Sequence, residues 1–587
     1  MRRFEEGIDP RTGERCLRVF TRGEALKEDP GLNKGTCFTR EEREQLGLRG
    51  LLPPGVSTHA EQAARAYGNY REAGDDVHKY LFLASLQDRN ETLFYQLLLA
   101  HLEEMAPIVY TPTVGKVCEQ FSHIYRKPRG IYVSSEDRGR IADVLRNAPL
   151  EDVRIIVATD NEAILGLGDL GVGGMAITIG KLALYTAGAG IHPALCLPLD
   201  IDVGTDNETL LNDPLYLGVR HPRLRGAEYY GLLDELVEAI ADVFPKALVQ
   251  WEDFANRTAF EILNRYRRRI LSFDDDIQGT GAVVVSGIRS ALHQAGRRLE
   301  DERIVFYGAG ASGAGCAMAV RQALREAGVP ETALRAKVVA LDSRGLVLSD
   351  RPGLSPEKKG IAADPALAAG WSGGVDSFHL EDVVREWKPT VLVGASGQPG
   401  AFTESIVRTM HRSCPRPVVL ALSNPTSRAE ATPADLIAWT SGAVITGTGS
   451  PFPPVEYAGE TYEIGQGNNA LIFPGVGLGA AVVEARWLPD EAFTAASRAL
   501  FEFTAPERRP GAPIYPPLRR LREVSLAVAR AVARALVDTG AAPPHEPEQI
   551  ERRLTSMVWE PAYRPYRPAE EPEAVATRAS GRSRSSA

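Results

Sequence analysis

Paired cysteines are missing from this sequence. Cys16, Cys37, Cys118, Cys196, Cys316 and Cys414 are scattered through 587 residues without the close spacing of a zinc site or a disulfide scaffold. Reduced thiols in a reducing compartment are therefore expected. No secretory leader is expected, because Met1-Arg2-Arg3-Phe4-Glu5-Glu6 runs straight into charge, and no uninterrupted apolar span of membrane length stands out. The expectation is a cytoplasmic protein without a membrane partner. Basic excess is absent as well: 67 Lys and Arg against 76 Asp and Glu leave a net charge of -9, which speaks against nucleic acid as a partner. Internal repeats are not evident. What is present is ordinary globular material, 44% hydrophobic and 24% charged, in a chain too long for a single core.

The texture changes along the chain. From about Thr58 to Pro107 apolar residues recur at three and four, which predicts helices and a mostly helical N-terminal domain over residues 1–130. After Pro149 short apolar runs alternate with helical stretches: Val153 to Thr159, Leu195 to Leu199 and Ala247 to Trp251 predict parallel strands with helical crossovers. A second series, Ile304 to Tyr307, Lys337 to Leu341, Thr390 to Val393 and Pro417 to Leu422, predicts a doubly wound, Rossmann-type nucleotide domain. The fold class is thus α/β. A central α/β substrate and metal domain is expected over 131–274 and 470–540, the dinucleotide domain over 275–469, and a C-terminal extension over 541–587. A long helix is expected from Leu521 to Asp538, and a disordered tail from about Pro568.

Gly308-Ala309-Gly310-Ala311-Ser312-Gly313 follows the apolar strand and opens a small-residue helix. Gly308 suits a tight turn, Gly310 lets backbone approach a pyrophosphate, and Gly313 lets helix and strand pack closely. Asp342 ends the next apolar run, where a ribose-binding carboxylate belongs. Asp342 favours a free 2'-hydroxyl, whereas Arg344 and Lys358 could meet a 2'-phosphate, so NAD and NADP both stay open.

Two acidic runs, Glu252-Asp253 and Asp274-Asp275-Asp276, each follow an apolar strand. Carboxylates converging at neighbouring strand ends repel one another unless a cation neutralises them, and a hard ion such as Mg2+ or Mn2+ prefers oxygen ligands. Capping of the following helix is the competing explanation for Asp274 to Asp276. Lys181 lies in an almost wholly apolar helix, where desolvation would lower its pKa and make it a base, unless its head snorkels to water. Tyr110 ends the apolar run Ile108-Val109 and reads as a strand end, where a tyrosine usually serves packing.

Taken together, Tyr110-Thr111-Pro112-Thr113-Val114-Gly115, Ile164-Leu165-Gly166-Leu167-Gly168-Asp169, Trp251-Glu252-Asp253-Phe254, Asp275-Asp276-Ile277-Gln278-Gly279-Thr280, Leu422-Ser423-Asn424-Pro425-Thr426 and Gly465-Gln466-Gly467-Asn468-Asn469 resemble malic enzyme signatures in family order. The likeness runs from Asn33 to Pro561. It implies NAD(P)-dependent oxidation of malate and loss of carbon dioxide to give pyruvate. By resemblance, Glu252, Asp253 and Asp276 hold the metal, Lys181 takes the hydroxyl proton with Asp275 beside it, and Tyr110 protonates the enol. Asn424 and Asn468 hold substrate carboxylates and are expected to face the metal across a cleft. Arg65 and Arg89 resemble positions that bind a dicarboxylate activator, and a homo-oligomer, dimer or tetramer, is implied.

The pattern breaks at two places. Ala163 stands where the family usually has an arginine that grips a substrate carboxylate, and Asp274 replaces a more usual asparagine. Malolactic enzymes, which turn malate into lactate, tend to carry a small residue at the first position and are the alternative. A catalytically silent nucleotide-binding regulator is a third reading, opposed by the presence of Tyr110, Lys181, Asp275 and the carboxylates.

Overall fold

The computed structural model describes residues 4–9, 12–372, 377–504 and 509–569. The expected tail past Pro568 lies, but for Ala569, outside them. Two compact units emerge: 1–100 with 560–587, and 101–559.

The first unit carries the predicted helices, His59–Glu72, Asp76–Arg89 and Glu91–Ala100. Thr58 caps the first of these with a reciprocal bond to Glu61, and Asp75 caps the second. It also contains strands that periodicity did not announce. Phe4–Ile8 pairs antiparallel with Arg15–Val19, and Tyr566–Pro568 joins the latter from the far end of the chain. They form a three-stranded sheet over a small core of Val19, Leu26, Phe38 and Tyr566.

The second unit is built on two sheets. In the first, Ile131–Ser134, Cys196–Asp202, Ile155–Thr159, Leu248–Trp251 and Ser272–Asp274 lie side by side in that order, all parallel. The inner strands are buried along their whole length, as an all-parallel sheet covered on both faces requires. Leu232, Leu236 and Ile240 of helix Gly226–Val243 help cover one face. Helices Met175–Ala189 and Phe473–Val482 cover the other, meeting at the Tyr185 and Phe473 rings.

The second sheet runs in the order Gly345–Leu346, Val338–Asp342, Ile304–Tyr307, Val391–Gly394, Val418–Ala421, Ile445–Thr448 and Gly465–Gln466. Only its first strand is antiparallel to its neighbour. The chain reverses direction across the sheet between Ile304–Tyr307 and Val391–Gly394, the crevice where such sheets bind nucleotides.

Register explains how the acidic runs meet. Trp251 pairs with Asp274 at the carboxyl ends of adjacent strands, so Glu252-Asp253 and Asp275-Asp276 emerge side by side. Asp275–Gly279 forms one π-type turn before helix Thr280–Ala295 begins, a widening frequent at functional sites.

One sequence expectation needs correction. Tyr110 does not end a strand; it terminates helix Leu102–Val109 and hydrogen-bonds back to the Ala106 carbonyl. The β-branched Ile108-Val109 pair suggested a strand, but packing holds it helical. Helix Gly171–Ala189 is long and apolar enough by length and composition to cross a membrane, but Lys181 interrupts it and it is a core helix almost wholly buried within the protein.

Helix Met175–Ala189 approaches the end of helix Leu102–Val109 closely at Gly180. A Cβ there would lie 2.6 Å from the Val109 carbonyl oxygen and 3.4 Å from the Tyr110 ring. This contact brings Lys181 and Tyr110 together. Gly180→Ala is expected to cost about 1–3 kcal/mol of stability and to lower activity with it, read as a reduced thermal midpoint and turnover.

Candidate active site

Lys181, from the buried helix, meets the acidic strand ends. Its Nζ donates to Asp275 Oδ2 at 2.5 Å and pairs with Glu252 Oε1 at 2.8 Å, with all three side chains buried. The ammonium lies 5.3 Å from the Tyr110 ring centre and 4.7 Å from that of Phe473. Burial alone would lower its pKa, as the sequence suggested, but Asp275 and Glu252 outweigh burial and hold Lys181 well above the usual lysine range. The lysine is charged here because partners distant in sequence surround it, which local apolar neighbours could not reveal.

Glu252, Asp253 and Asp276 present one oxygen each within 4.8 Å of one another. Burial pushes Glu252, Asp253 and Asp276 up, with repulsion among the neighbouring carboxylates adding to it and Lys181 opposing it. Their placement is prepared in detail. The Asp253 backbone N–H donates to Asp276 Oδ2 at 2.8 Å, the Leu165 N–H donates to Asp253 Oδ2 at 3.0 Å, and Gln250 donates to Glu252 Oε2 at 2.9 Å. Asp253 itself is held at φ 55, a left-handed conformation that costs a non-glycine residue energy and concentrates at functional sites. Asp274 does not join the trio: one oxygen accepts from the Ile277 N–H, so helix capping holds for this residue and not for Asp276. Burial and the Asp276 charge raise the Asp274 pKa well above normal.

Lys181, Glu252, Asp253 and Asp276 line a cleft of about 440 Å³ shared with Tyr110, Ala163, Asn424, Asn468 and Asn469. Burial raises the Tyr110 phenol well above its ordinary range, with Lys181 opposing and Glu252 and Asp275 adding to the rise. Asn424 Oδ1 accepts from Ser450 at 2.6 Å, and Asn468 Oδ1 accepts from the Ala470 N–H at 2.9 Å. Asn469, which motif reading passed over, donates to Asp275 Oδ2 at 3.1 Å and to Thr280 Oγ1 at 2.9 Å. The adjacent amides in Gly467-Asn468-Asn469 were the available signal. Ala163 donates its N–H to the Asp253 carbonyl and brings no cation to the cleft.

The dinucleotide loop borders a second cavity of about 360 Å³, lined by Gly308, Gly310, Asp342, Lys358 and Ala395 among others. Side chains are excluded here: a Cβ on Gly308, at φ 115, would sit 2.2 Å from the Ala395 carbonyl oxygen, and one on Gly313 2.0 Å from the Gly308 oxygen. Asn256 Oδ1 accepts from the Ala311 N–H at 2.6 Å, at the start of helix Ala311–Glu326. Gly313 lies beneath the loop, and Arg344 is exposed and offers only its backbone N–H to Asp342. The cation that does grip Asp342 is Arg351, bidentate at 3.0 and 2.5 Å, beside Lys358 at 2.7 Å. Arg351 reaches Asp342 across the turn that follows its strand, a contact no motif encodes. Against the effect of burial, these cations and the Arg344 N–H depress the Asp342 pKa to about 2.

Arg65 and Arg89 line a separate cavity of about 230 Å³ in the first unit, with Asn33, Thr36 and Asn69.

Comparison with known proteins agrees with this arrangement. Residues 277–537 match the family described as "Malic enzyme, NAD binding domain" and residues 87–267 that described as "Malic enzyme, N-terminal domain". The chain is 46% identical over 554 residues to the NAD-dependent malic enzyme of Sodalis glossinidius, covering 94% of this chain and 98% of that one. It is 45% identical over 556 residues to that of Acinetobacter baylyi, covering 95% and 98%. The chain belongs to the malic enzyme family. A crystal structure of the Entamoeba histolytica malic enzyme shares the fold, with a TM-score of 0.55 and 23% identity over 87% of this chain and 91% of that chain.

The Asp342 cluster has a pH signature. Its folded pKa of about 2 lies below the reference 3.8, so its stabilisation is full above the unfolded value and is lost as pH falls through the folded one. Asp342→Asn is expected to lower the urea midpoint at pH 7, with the difference from wild type shrinking by about half near pH 3.

Proposed function

We propose that this chain oxidises malate with NAD+ and releases pyruvate and carbon dioxide. The observation that carries the reading is the buried, ion-paired Lys181–Asp275–Glu252 group, set beside a carboxylate trio, Tyr110 and a dinucleotide loop. The relatives at 45–46% identity are named NAD-dependent malic enzymes, which favours this reaction over lactate formation and NAD over NADP. Asp342, already ion-paired to Arg351 and Lys358, supports the same choice, since a carboxylate accepts from a ribose hydroxyl and repels a phosphate.

The residues fit both cofactors. Glu252, Asp253 and Asp276 would hold a divalent Mg2+ or Mn2+, whose bound charge polarises the substrate oxygens. Three oxygens within 4.8 Å on buried carboxyls raised by mutual repulsion are the donor set of a hard cation. Gly308, Gly310 and Gly313 give the backbone cradle that a dinucleotide pyrophosphate needs.

Lys181 and Asp275 act as a proton-exchanging pair. Lys181 hands its own proton to Asp275, 2.5 Å away, and the freed amine takes the proton of the C2 hydroxyl, while the C2 hydride would pass to a bound nicotinamide. Asn469 holds Asp275 in place from the other side. The resulting β-keto acid loses its C4 carboxylate as carbon dioxide, and Tyr110, whose raised pKa keeps it protonated, donates a proton to C3 of the enol. Asn424 and Asn468 hold the substrate carboxylates with neutral amides. Arg65 and Arg89, in their own cavity, bind a dicarboxylate effector, and the chain works as a homo-oligomer.

Purified protein with malate, Mn2+ and NAD+ should accumulate reduced cofactor and pyruvate; lactate without net reduction would replace this reading by the malolactic one. Lys181→Ala is expected to lower turnover by roughly 10²–10⁴-fold while NAD+ and Mn2+ still bind in calorimetric titration. Asp276→Ala should weaken Mn2+ binding by at least about 100-fold, since even outer-shell changes cost 10–100-fold.

A further inference from the structure

A dianionic substrate entering the cleft meets little free positive charge. Lys181 and Arg428 are the cationic side chains among the described residues lining it. Lys181 is already paired twice, with Asp275 and Glu252. Ala163 brings none. Arg428 is exposed, and no ion pair or side-chain hydrogen bond engages it among the described residues.

Arg428 is nevertheless well placed. It ends the short turn Thr426–Arg428, four residues after Asn424, with its backbone N–H on the Pro425 carbonyl. Two residues on, the fully buried Glu430 anchors the turn: Glu430 Oε1 accepts from the Ser396 N–H and hydroxyl at 2.9 Å and from the Ser423 hydroxyl at 2.5 Å. Gly397 donates its N–H to Ser423 Oγ at 2.9 Å, tying the loops after Val391–Gly394 and Val418–Ala421 together. A Cβ on Gly397 would stand 3.9 Å from Arg428 Nη1, so the guanidinium lies over the loop that follows strand Val391–Gly394, and both residues line the cleft.

We infer that Arg428 is a specificity-determining residue of the reaction proposed above, supplying the charged contact to the retained C1 carboxylate of malate that Ala163 cannot make. The choice of carboxylate follows from the chemistry. The C4 carboxylate loses its charge as carbon dioxide leaves, so a cation fixed on it would stabilise the ground state over the transition state and slow the reaction. The C1 carboxylate keeps its charge from malate through to pyruvate, and a guanidinium can grip it bidentately throughout. Asn424 and Asn468, being neutral, can contact either carboxylate without that penalty.

The test uses the full-length enzyme with NAD+ and Mn2+, comparing wild type, Arg428→Gln and Arg428→Lys, with pyruvate as a product inhibitor. Pyruvate carries C1 and lacks C4. Arg428→Gln is expected to raise the KM for malate and the inhibition constant for pyruvate together, by roughly 10–100-fold, leaving the KM for NAD+ within about twofold, and Arg428→Lys to recover part of the loss. A rise in the NAD+ KM with malate unaffected would assign Arg428 to a cofactor phosphate and overturn the inference. A rise for malate without one for pyruvate would place the contact on C4 and overturn it equally, as would no change in either. An active wild type beside unaffected variants ends only this inference; an inert wild type ends the proposed reaction with it.

Discussion

Six buried or half-buried ionisable groups, Lys181, Glu252, Asp253, Asp274, Asp275 and Asp276, meet where the strands ending at Trp251 and Asp274 lie in register. A protein interior tolerates five carboxylates only if positive charge and hydrogen bonds answer them. Lys181 answers two, the backbone N–H groups of Asp253, Leu165 and Ile277 answer three more, and a divalent cation completes the balance in the proposed enzyme. Much of the surrounding architecture is arranged for this purpose: the helix that carries Lys181, the glycine that lets it approach Tyr110, the strained backbone at Asp253.

The same economy of charge explains the chemistry. In the proposed reaction, groups already paired in the cleft handle protons and neutral amides hold the substrate carboxylates, and among the described residues lining the cleft the unpaired positive charge is that of Arg428. Asp342 repeats the pattern in the dinucleotide cavity, where Arg351 and Lys358 fix a carboxylate in its ionised form.

Features that depend on short stretches of chain were legible in the sequence. The glycines of the dinucleotide loop announced themselves because strand, turn and helix are contiguous, and the acidic pairs because each directly follows an apolar strand. What could not be read depends on partners far apart. Lys181 looked like a deprotonated base among apolar neighbours, yet Asp275 arrives from 94 residues away and reverses the direction of its shift. Tyr566–Pro568 completes a sheet with residues near the start of the chain, so neither edge showed alternation strong enough to call. Tyr110 was misread because two β-branched residues outweighed the helical periodicity just before them. Arg351 and Asn469 escaped because each acts through one side-chain contact that leaves no local trace.

Helix Thr280–Ala295 begins at the turn that bears Asp276 and leads, through Leu299–Asp301, to strand Ile304–Tyr307 of the dinucleotide sheet. It is therefore a rigid crank between the two halves of the chemistry. A turn of the nucleotide-bearing layer about this axle would reach the carboxylate end through only the short links at 296–298 and 302–303. Grip on the dinucleotide and geometry at the acidic trio therefore share one short covalent path through the fold.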